Sequence, residues 1–232
     1  MMQLIPVADL MDGQVVRAVR GDRANYRPLT SNLVQGSTPE VIVGALLQLY
    51  PFRTFYLADL DAILGRGHHK ATIETLRRQF PTVEFWVDAG FQTQAEVEAW
   101  LGLGLATPVI GSETLRSASL FADLDLVDSA VLSLDYRGES FTGPAELEAA
   151  VERWPNRVIA MTLGRVGSQS GPDTDRLSAL KTRAPTRRLY AAGGVRGASD
   201  LATLTELGAA GVLLASALHD GALGSADLAR YG

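Results

Sequence analysis

The chain has no cysteine. Disulfides, thiolate metal ligands and thiol nucleophiles are excluded together. Lysine is nearly as scarce. It stands only at Lys70 and Lys181, neither of which ends an apolar strand-like run, so a Schiff-base lysine is not expected. His68, His69 and His219 show no metal-ligand spacing. Ser133 and Ser216 have no neighbouring base in a nucleophile elbow, which argues against a serine hydrolase. No apolar run approaches the length of a membrane span. The opening Met1-Met2-Gln3-Leu4-Ile5-Pro6 lacks the basic-then-apolar order of a secretory leader, so a cytoplasmic location is expected. Basic residues are almost all arginine and are outnumbered by acids, giving a net charge of -5. That balance is the opposite of a nucleic-acid binder's basic footprint.

What is present is alternation. Strand-like runs fall at Leu4–Asp9, Thr54–Asp59, Val83–Asp88, Thr107–Gly111, Ala130–Asp135, Arg157–Thr162, Arg188–Ala192 and Gly211–Ala215. Between them lie amphipathic runs such as Pro39–Tyr50, Ala71–Phe80, Thr93–Leu103, Ala145–Trp154 and Ala198–Leu207. Near-continuous apolar strands alternating with helices imply a parallel sheet, and eight such units favour a closed (β/α)8 TIM barrel as one domain over residues 1–232. The alternative is an open doubly wound sheet, but that fold normally uses fewer strands, and no Gly-x-Gly-x-x-Gly follows the first strand. The longest non-periodic stretches are Asp12 to Ser37 and Gly164–Asp175, both after strands.

The chain also repeats itself, as half-barrels would. Ala89-Gly90-Phe91-Gln92 resembles Gly193-Gly194-Val195-Arg196. Holding the offset of 104 that takes Gly90 onto Gly194, Glu96 falls on Asp200, Val97 on Leu201, Leu103 on Leu207, Gly104 on Gly208, Ala106 on Ala210 and Ser112 on Ser216. Asp9 and Asp135 then close the first strand of each half.

Barrel active sites lie at the C-terminal ends of the strands. There Asp9 and Asp135 can serve as general acid and base, provided their surroundings set their pKa values apart; the plainer role is to cap a loop or pair with an arginine. Asp59, Asp61 and Asp88 also end strands. With Asp9 they are candidates for a divalent cation, but no spacing motif supports one, so no metal is expected. Gly193-Gly194 followed by Ala215-Ser216, after strands seven and eight, can bring backbone N–H groups close to a phosphate. Gly90, then Gly111-Ser112, repeat the arrangement after strands three and four. Two such cradles imply an elongated substrate with a phosphate at each end; a tight turn needing glycine is the plainer account of each. The glycine- and serine-rich tract after strand six, with Gly167 and Ser168 at its centre, reads as a lid over substrate or as a simple surface loop.

Taken together, the motifs resemble the histidine-biosynthesis barrels, whose two main members are the phosphoribosylformimino-aminoimidazole-carboxamide ribotide isomerase and the imidazole glycerol phosphate cyclase. The resemblance covers essentially the whole chain. It is carried by Ile5 through Arg17, Asp59-Leu60-Asp61-Ala62, Gly111-Ser112-Glu113-Thr114, Asp135, Gly193-Gly194-Val195 and Ser216-Ala217-Leu218; Gly21-Asp22 and Tyr26 are isomerase-like. The resemblance implies a cofactor-independent Amadori rearrangement of a phosphorylated ribosylamine. Asp9 would be the base, Asp135 the acid and Thr162 a hydrogen-bonding partner of the substrate. The two glycine sets (Gly90, Gly111, Ser112; Gly193, Gly194, Ala215, Ser216) would hold the two phosphates. A phosphorylated small molecule is the expected partner, in a monomer or small homo-oligomer. Two departures stand out. Asp88-Ala89-Gly90-Phe91 replaces a glycine run, and a carboxylate about 4 Å from an anion repels it by several kcal/mol at an effective dielectric of about 20. Thr162 through Ser168 has no acidic residue where the isomerase has two. The Arg-Val-Gly…Gly-Pro-Asp pattern is more similar to a divergent isomerase/cyclase-related subgroup of archaea and methylotrophic bacteria, which places a paralogue in one-carbon cofactor biosynthesis beside the histidine-pathway enzyme. An ammonia-using cyclase with a glutaminase partner and a non-catalytic phosphometabolite-binding barrel are the remaining readings.

Overall fold

The computed structural model describes residues 1–122 and 129–232. Eight parallel strands form the barrel: β1 (Gln3–Met11), β2 (Thr54–Asp59), β3 (Glu84–Asp88), β4 (Thr107–Gly111), β5 (Val131–Arg137), β6 (Arg157–Thr162), β7 (Arg188–Ala192) and β8 (Gly211–Leu214). β1 pairs in parallel with β2 on one side and with β8 on the other, so the sheet closes. The open-sheet alternative falls with that closure. Among the described residues no helix is long and apolar enough to cross a membrane.

Alternation along each strand sorts its side chains. Ile5, Tyr56, Trp86, Val109, Val131, Ile159, Tyr190 and Leu213 point inward and fill the barrel. The opposite parity, including Phe55, Leu57, Val87, Leu132, Leu134 and Val158, packs beneath the helices. The helices carry the cues of the sequence. Pro39 is the first residue of Pro39–Leu49 after Thr38, and Thr93 with Glu96 forms a capping box on Gln94–Gly102.

The repeat is structural. β3 and β7, β4 and β8, and the helices Gln94–Gly102 and Ala198–Glu206 all begin 104 residues apart. Gly90 and Gly194 both have left-handed backbones, with φ of +71° and +86°. The Gln92 N–H donates to Glu96, and the Arg196 N–H donates to Asp200, each at 2.8 Å. In the barrel centre Trp86 meets Tyr190, its counterpart in the second half, edge to face at 5.0 Å.

Two features depart from the sequence reading. β1 and β5 both run on past their aspartates into antiparallel hairpins, pairing Asp9 with Val16 and Asp135 with Thr142. The first hairpin turns at Asp12-Gly13, both with positive φ, the conformation Asp-Gly favours. It is held by the Asp12 N–H on Asp61 Oδ2 (2.8 Å) and the Gly13 N–H on His69 Nε2 (2.9 Å). The expected helix Ala145–Trp154 is interrupted: an α-helical Ala145–Ala149 gives way to a 3-10 turn, Val151–Arg153. Side chains take the carbonyls that would have continued it, Trp154 Nε1 on Leu147 O (2.7 Å) and Arg183 on Glu148 O (2.6 Å).

Candidate active site

At the C-terminal mouth a cleft, with its opening included, encloses about 1000 Å³. Asp9, Asp88 and Asp135 face it from β1, β3 and β5, because each falls on the inward parity of its strand. Gly111 of β4 makes their closeness sterically feasible. A Cβ there would lie 2.9 Å from Asp88 Oδ2 and 3.5 Å from Asp135 Oδ2.

The carboxylates differ in their partners. Asp135 accepts from Ser133 Oγ at 2.8 Å, from the Glu113 N–H at 3.0 Å and from Ser112 Oγ at 3.2 Å. Asp88 accepts from the Gly90 N–H at 3.0 Å and, weakly, from Tyr56 Oη at 3.4 Å. Among the described residues nothing hydrogen-bonds to the Asp9 carboxylate. Burial raises all three. Asp9 is pushed up to about 7, with Arg23 opposing and Asp88 adding to the shift. Asp135 also rises to about 7, against the Glu113 N–H and with the help of Asp88. Asp88 rises to about 6, against the Gly90 N–H and with the help of Glu113. Burial beside these carboxylates drives the Tyr56 hydroxyl well above its ordinary value.

On the far side of the mouth the lining turns to small residues: Gly193, Gly194, Val195, Ala215 and Ser216. Gly167 lines the cleft as well, but Ser168 does not. Ser168 Oγ is turned back onto Arg165 O (2.8 Å). The tract after β6 is a docked cover. The Arg20 N–H donates to Val166 O and the Gly171 N–H to Gly194 O, both at 2.9 Å, and a Cβ on Gly167 would strike Ala18 O at 2.2 Å.

The remaining sequence candidates lie elsewhere. Gly90, Gly111 and Ser112 do not line the cleft. Ser112 is fully buried, and its hydroxyl contacts Thr142 O (2.7 Å) and Asp135. Thr162 faces the helices, where its hydroxyl donates to Asp173 Oδ2 at 3.1 Å. Its inward neighbour Met161 lines the cleft instead. Asp59 and Asp61 hold His69, the β1 hairpin and Arg66. Three residues that the sequence did not mark as site residues enter the site: Arg23, Arg137 and Glu113 line the mouth, with Arg23 and Arg137 (3.6 Å) both paired to Glu113. Glu113 directly follows Ser112, and its repeat counterpart is Ala217, so the sequence did carry a signal for it.

Comparison with known proteins fits this geometry. The phosphoribosyl-imidazole-4-carboxamide isomerase of Myxococcus xanthus, whose name specifies two 5-phosphoribosyl groups, is 30% identical over 243 residues, 97% of each chain. The isomerase of the same name from Listeria innocua is 25% identical over 98% of this chain and 97% of its own. An uncharacterised protein of Methanocaldococcus jannaschii is 28% identical over 96% of this chain and 95% of its own. Residues 3–224 match the family described as histidine biosynthesis protein. The chain belongs to that family of (β/α)8 barrels.

Proposed function

We propose that the cleft isomerises a phosphorylated ribosylamine from aldose to ketose by acid–base catalysis without a cofactor. The observation that carries this reading is the pair Asp9 and Asp135, facing one cleft from opposite halves and both held near pKa 7. Near neutrality such a pair carries about one proton, so an acid and a base are present together. Asp135, as acid, protonates the ring oxygen; the C1–O bond breaks and an iminium forms between C1 and the amine nitrogen. Asp9, whose oxygens take no hydrogen bond among the described residues, removes the proton from C2. The resulting enolamine takes that proton back from Asp9 at C1. It gives its 2-hydroxyl proton to Asp135 as the C2 carbonyl forms, which yields the aminoketose and returns both carboxyls to their starting states. The N–H groups of Gly194 and Val195 and the Ser216 hydroxyl, which make no hydrogen bond among the described residues, anchor a phosphate and fix C2 against Asp9. The isomerase names of the relatives support the reaction class. A paralogous phosphorylated amine is the second reading, favoured by the carboxylate of Asp88 on the Gly90 N–H.

The test is turnover on two aminoaldoses, the bisphosphorylated substrate of the histidine pathway and a monophosphorylated N-aryl-ribosylamine, with formation of the aminoketose followed by chromatography. Conversion of either is expected. Asp9→Asn and Asp135→Asn should each lower it by about 10³-fold with the fold intact. The wild-type kcat/KM should peak near pH 7, falling on the acid side as the base is protonated and on the alkaline side as the acid ionises. Full activity in either variant, or conversion of neither aminoaldose by the wild type, sinks the assignment.

A further inference from the structure

The repeat places the same backbone at both ends of the cleft, so the two ends can be compared position by position. In the second half the N–H groups of Gly194 and Val195 make no hydrogen bond among the described residues, and neither does the Ser216 hydroxyl; all three residues line the cleft. In the first half the counterparts of Gly194 and Ser216 are already engaged, while Phe91, the counterpart of Val195, makes no hydrogen bond through its N–H among the described residues and does not line the cleft. The Gly90 N–H donates to Asp88 Oδ1 at 3.0 Å. The Glu113 N–H, counterpart of the Ala217 N–H, donates to Asp135 Oδ2 at 3.0 Å. The Ser112 hydroxyl is buried against Thr142 O and Asp135.

The first-half cradle is therefore filled by the protein's own carboxylates, with Glu113 beside them. An anion placed there meets the carboxyl groups of Asp88, Asp135 and Glu113 and finds the Gly90, Glu113 and Ser112 donors occupied. The two nearby cations, Arg23 and Arg137, are both directed at Glu113. A cationic group meets the reverse at Asp88: a carboxylate that burial has stripped of water and that has no ion pair among the described residues. The duplicated site has thus changed the sign of the charge it accepts.

We propose that the substrate carries a single phosphate, held at Gly194, Val195 and Ser216, and presents a protonated amine to Asp88 at the opposite end of the cleft. This rests on the reading that the cleft is the substrate site. It separates this protein from the relatives whose names specify two phosphoribosyl groups.

Calorimetric titration at about pH 7 with three probes tests it: glucosamine 6-phosphate, glucose 6-phosphate and fructose 1,6-bisphosphate. Glucosamine 6-phosphate should bind about tenfold more tightly than glucose 6-phosphate, the scale of one charge-assisted hydrogen bond. The bisphosphate should bind no more tightly than glucose 6-phosphate. Asp88→Asn, which removes the charge and keeps an acceptor for the Gly90 N–H, should erase the amine preference; Asp88→Ala, which also frees that N–H, should in addition strengthen bisphosphate binding. Thermal unfolding of both variants confirms that they fold. Tightest binding of the bisphosphate to the wild type, equal binding of amine and hydroxyl probes, or binding of none of the three overturns the proposal. These are binding readouts. Loss of turnover on every aminoaldose with the amine preference intact rejects the isomerase reading alone, and bisphosphate preference with turnover intact rejects this inference alone.

Discussion

Gly90 and Gly194 occupy the same place in two copies of one structure, yet their N–H groups do opposite things. Both sit in left-handed turns at the end of a barrel strand, and both are followed by a helix whose first turn is tied by an acidic side chain. Gly194 lines the cleft and its N–H makes no hydrogen bond among the described residues, whereas the Gly90 N–H is covered by Asp88. The difference comes from two substitutions at strand ends: Asp88 stands where the second half has Ala192, and Glu113 where it has Ala217. A glycine turn supplies the geometry for an anion, but the side chain two residues earlier decides whether an anion can use it.

The largest test of that statement is to install the first-half residue in the second half. Ala192→Asp places a carboxylate two residues before Gly194, as Asp88 stands before Gly90. It should cap the Gly194 N–H and repel the phosphate. The loss of a donor and the added repulsion amount to about 3 kcal/mol, or roughly 100-fold in glucose 6-phosphate affinity by titration. Affinity unchanged within about threefold would break the comparison, because the glycine turn would then bind phosphate whatever its neighbour.

A second contrast concerns what each turn packs against. A Cβ at Gly194 would lie 2.2 Å from the Gly171 carbonyl oxygen, a backbone atom of the cover after β6. At Gly90 the nearest atom is Ile63 Cα, at 3.0 Å. Both alanine variants suffer the strain of positive φ, but only Gly194→Ala must also push the cover away. Denaturant unfolding should show a loss of about 3 kcal/mol for Gly194→Ala and about 1.5 kcal/mol for Gly90→Ala. Equal losses would mean that the cover is not docked on the second half.

Much of this was legible in the sequence, for physical reasons that also mark where reading stopped. Parallel strands buried on both faces are continuous apolar runs, so four of the eight, β2, β4, β6 and β7, have the bounds their composition implied. The inward parity was legible too: counting in twos from Ile159 puts Met161 inside and Thr162, expected to meet the substrate, outside. Asp12-Gly13 advertised a hairpin that lay within a stretch read as irregular. The asymmetry of Asp88 with Ala192 and of Glu113 with Ala217 was written at the same offset as the matches that revealed the repeat. What the sequence could not show is direction. Ser112 and Ser216 are the same residue in the same register, and only packing against the second hairpin, which brings Thr142 O to 2.7 Å, turns one hydroxyl inward. The pairing of Arg23 with Glu113 across 90 residues is likewise a product of barrel closure and carries no local signal.

A last effect isolates Asp88 itself. Burial holds its folded pKa at about 6, above the ordinary aspartate value of 3.8, so between those values the native state binds the proton more tightly than the unfolded chain does. The stability this provides is fully present below about pH 4 and is lost as pH rises through about 6. Asp88→Asn carries no such proton. Relative to wild type, the variant should therefore gain about 2 kcal/mol between pH 4.5 and pH 8, read from denaturant midpoints at the two pH values. Ala192→Asn, at the counterpart position, should show no such gain, since it replaces no ionisable group. If the Asp88→Asn difference is the same at both pH values, the carboxylate is already neutralised by a partner. The first half would then have no unmatched negative charge to offer an amine, and the contrast between the two glycine turns would be one of shape alone.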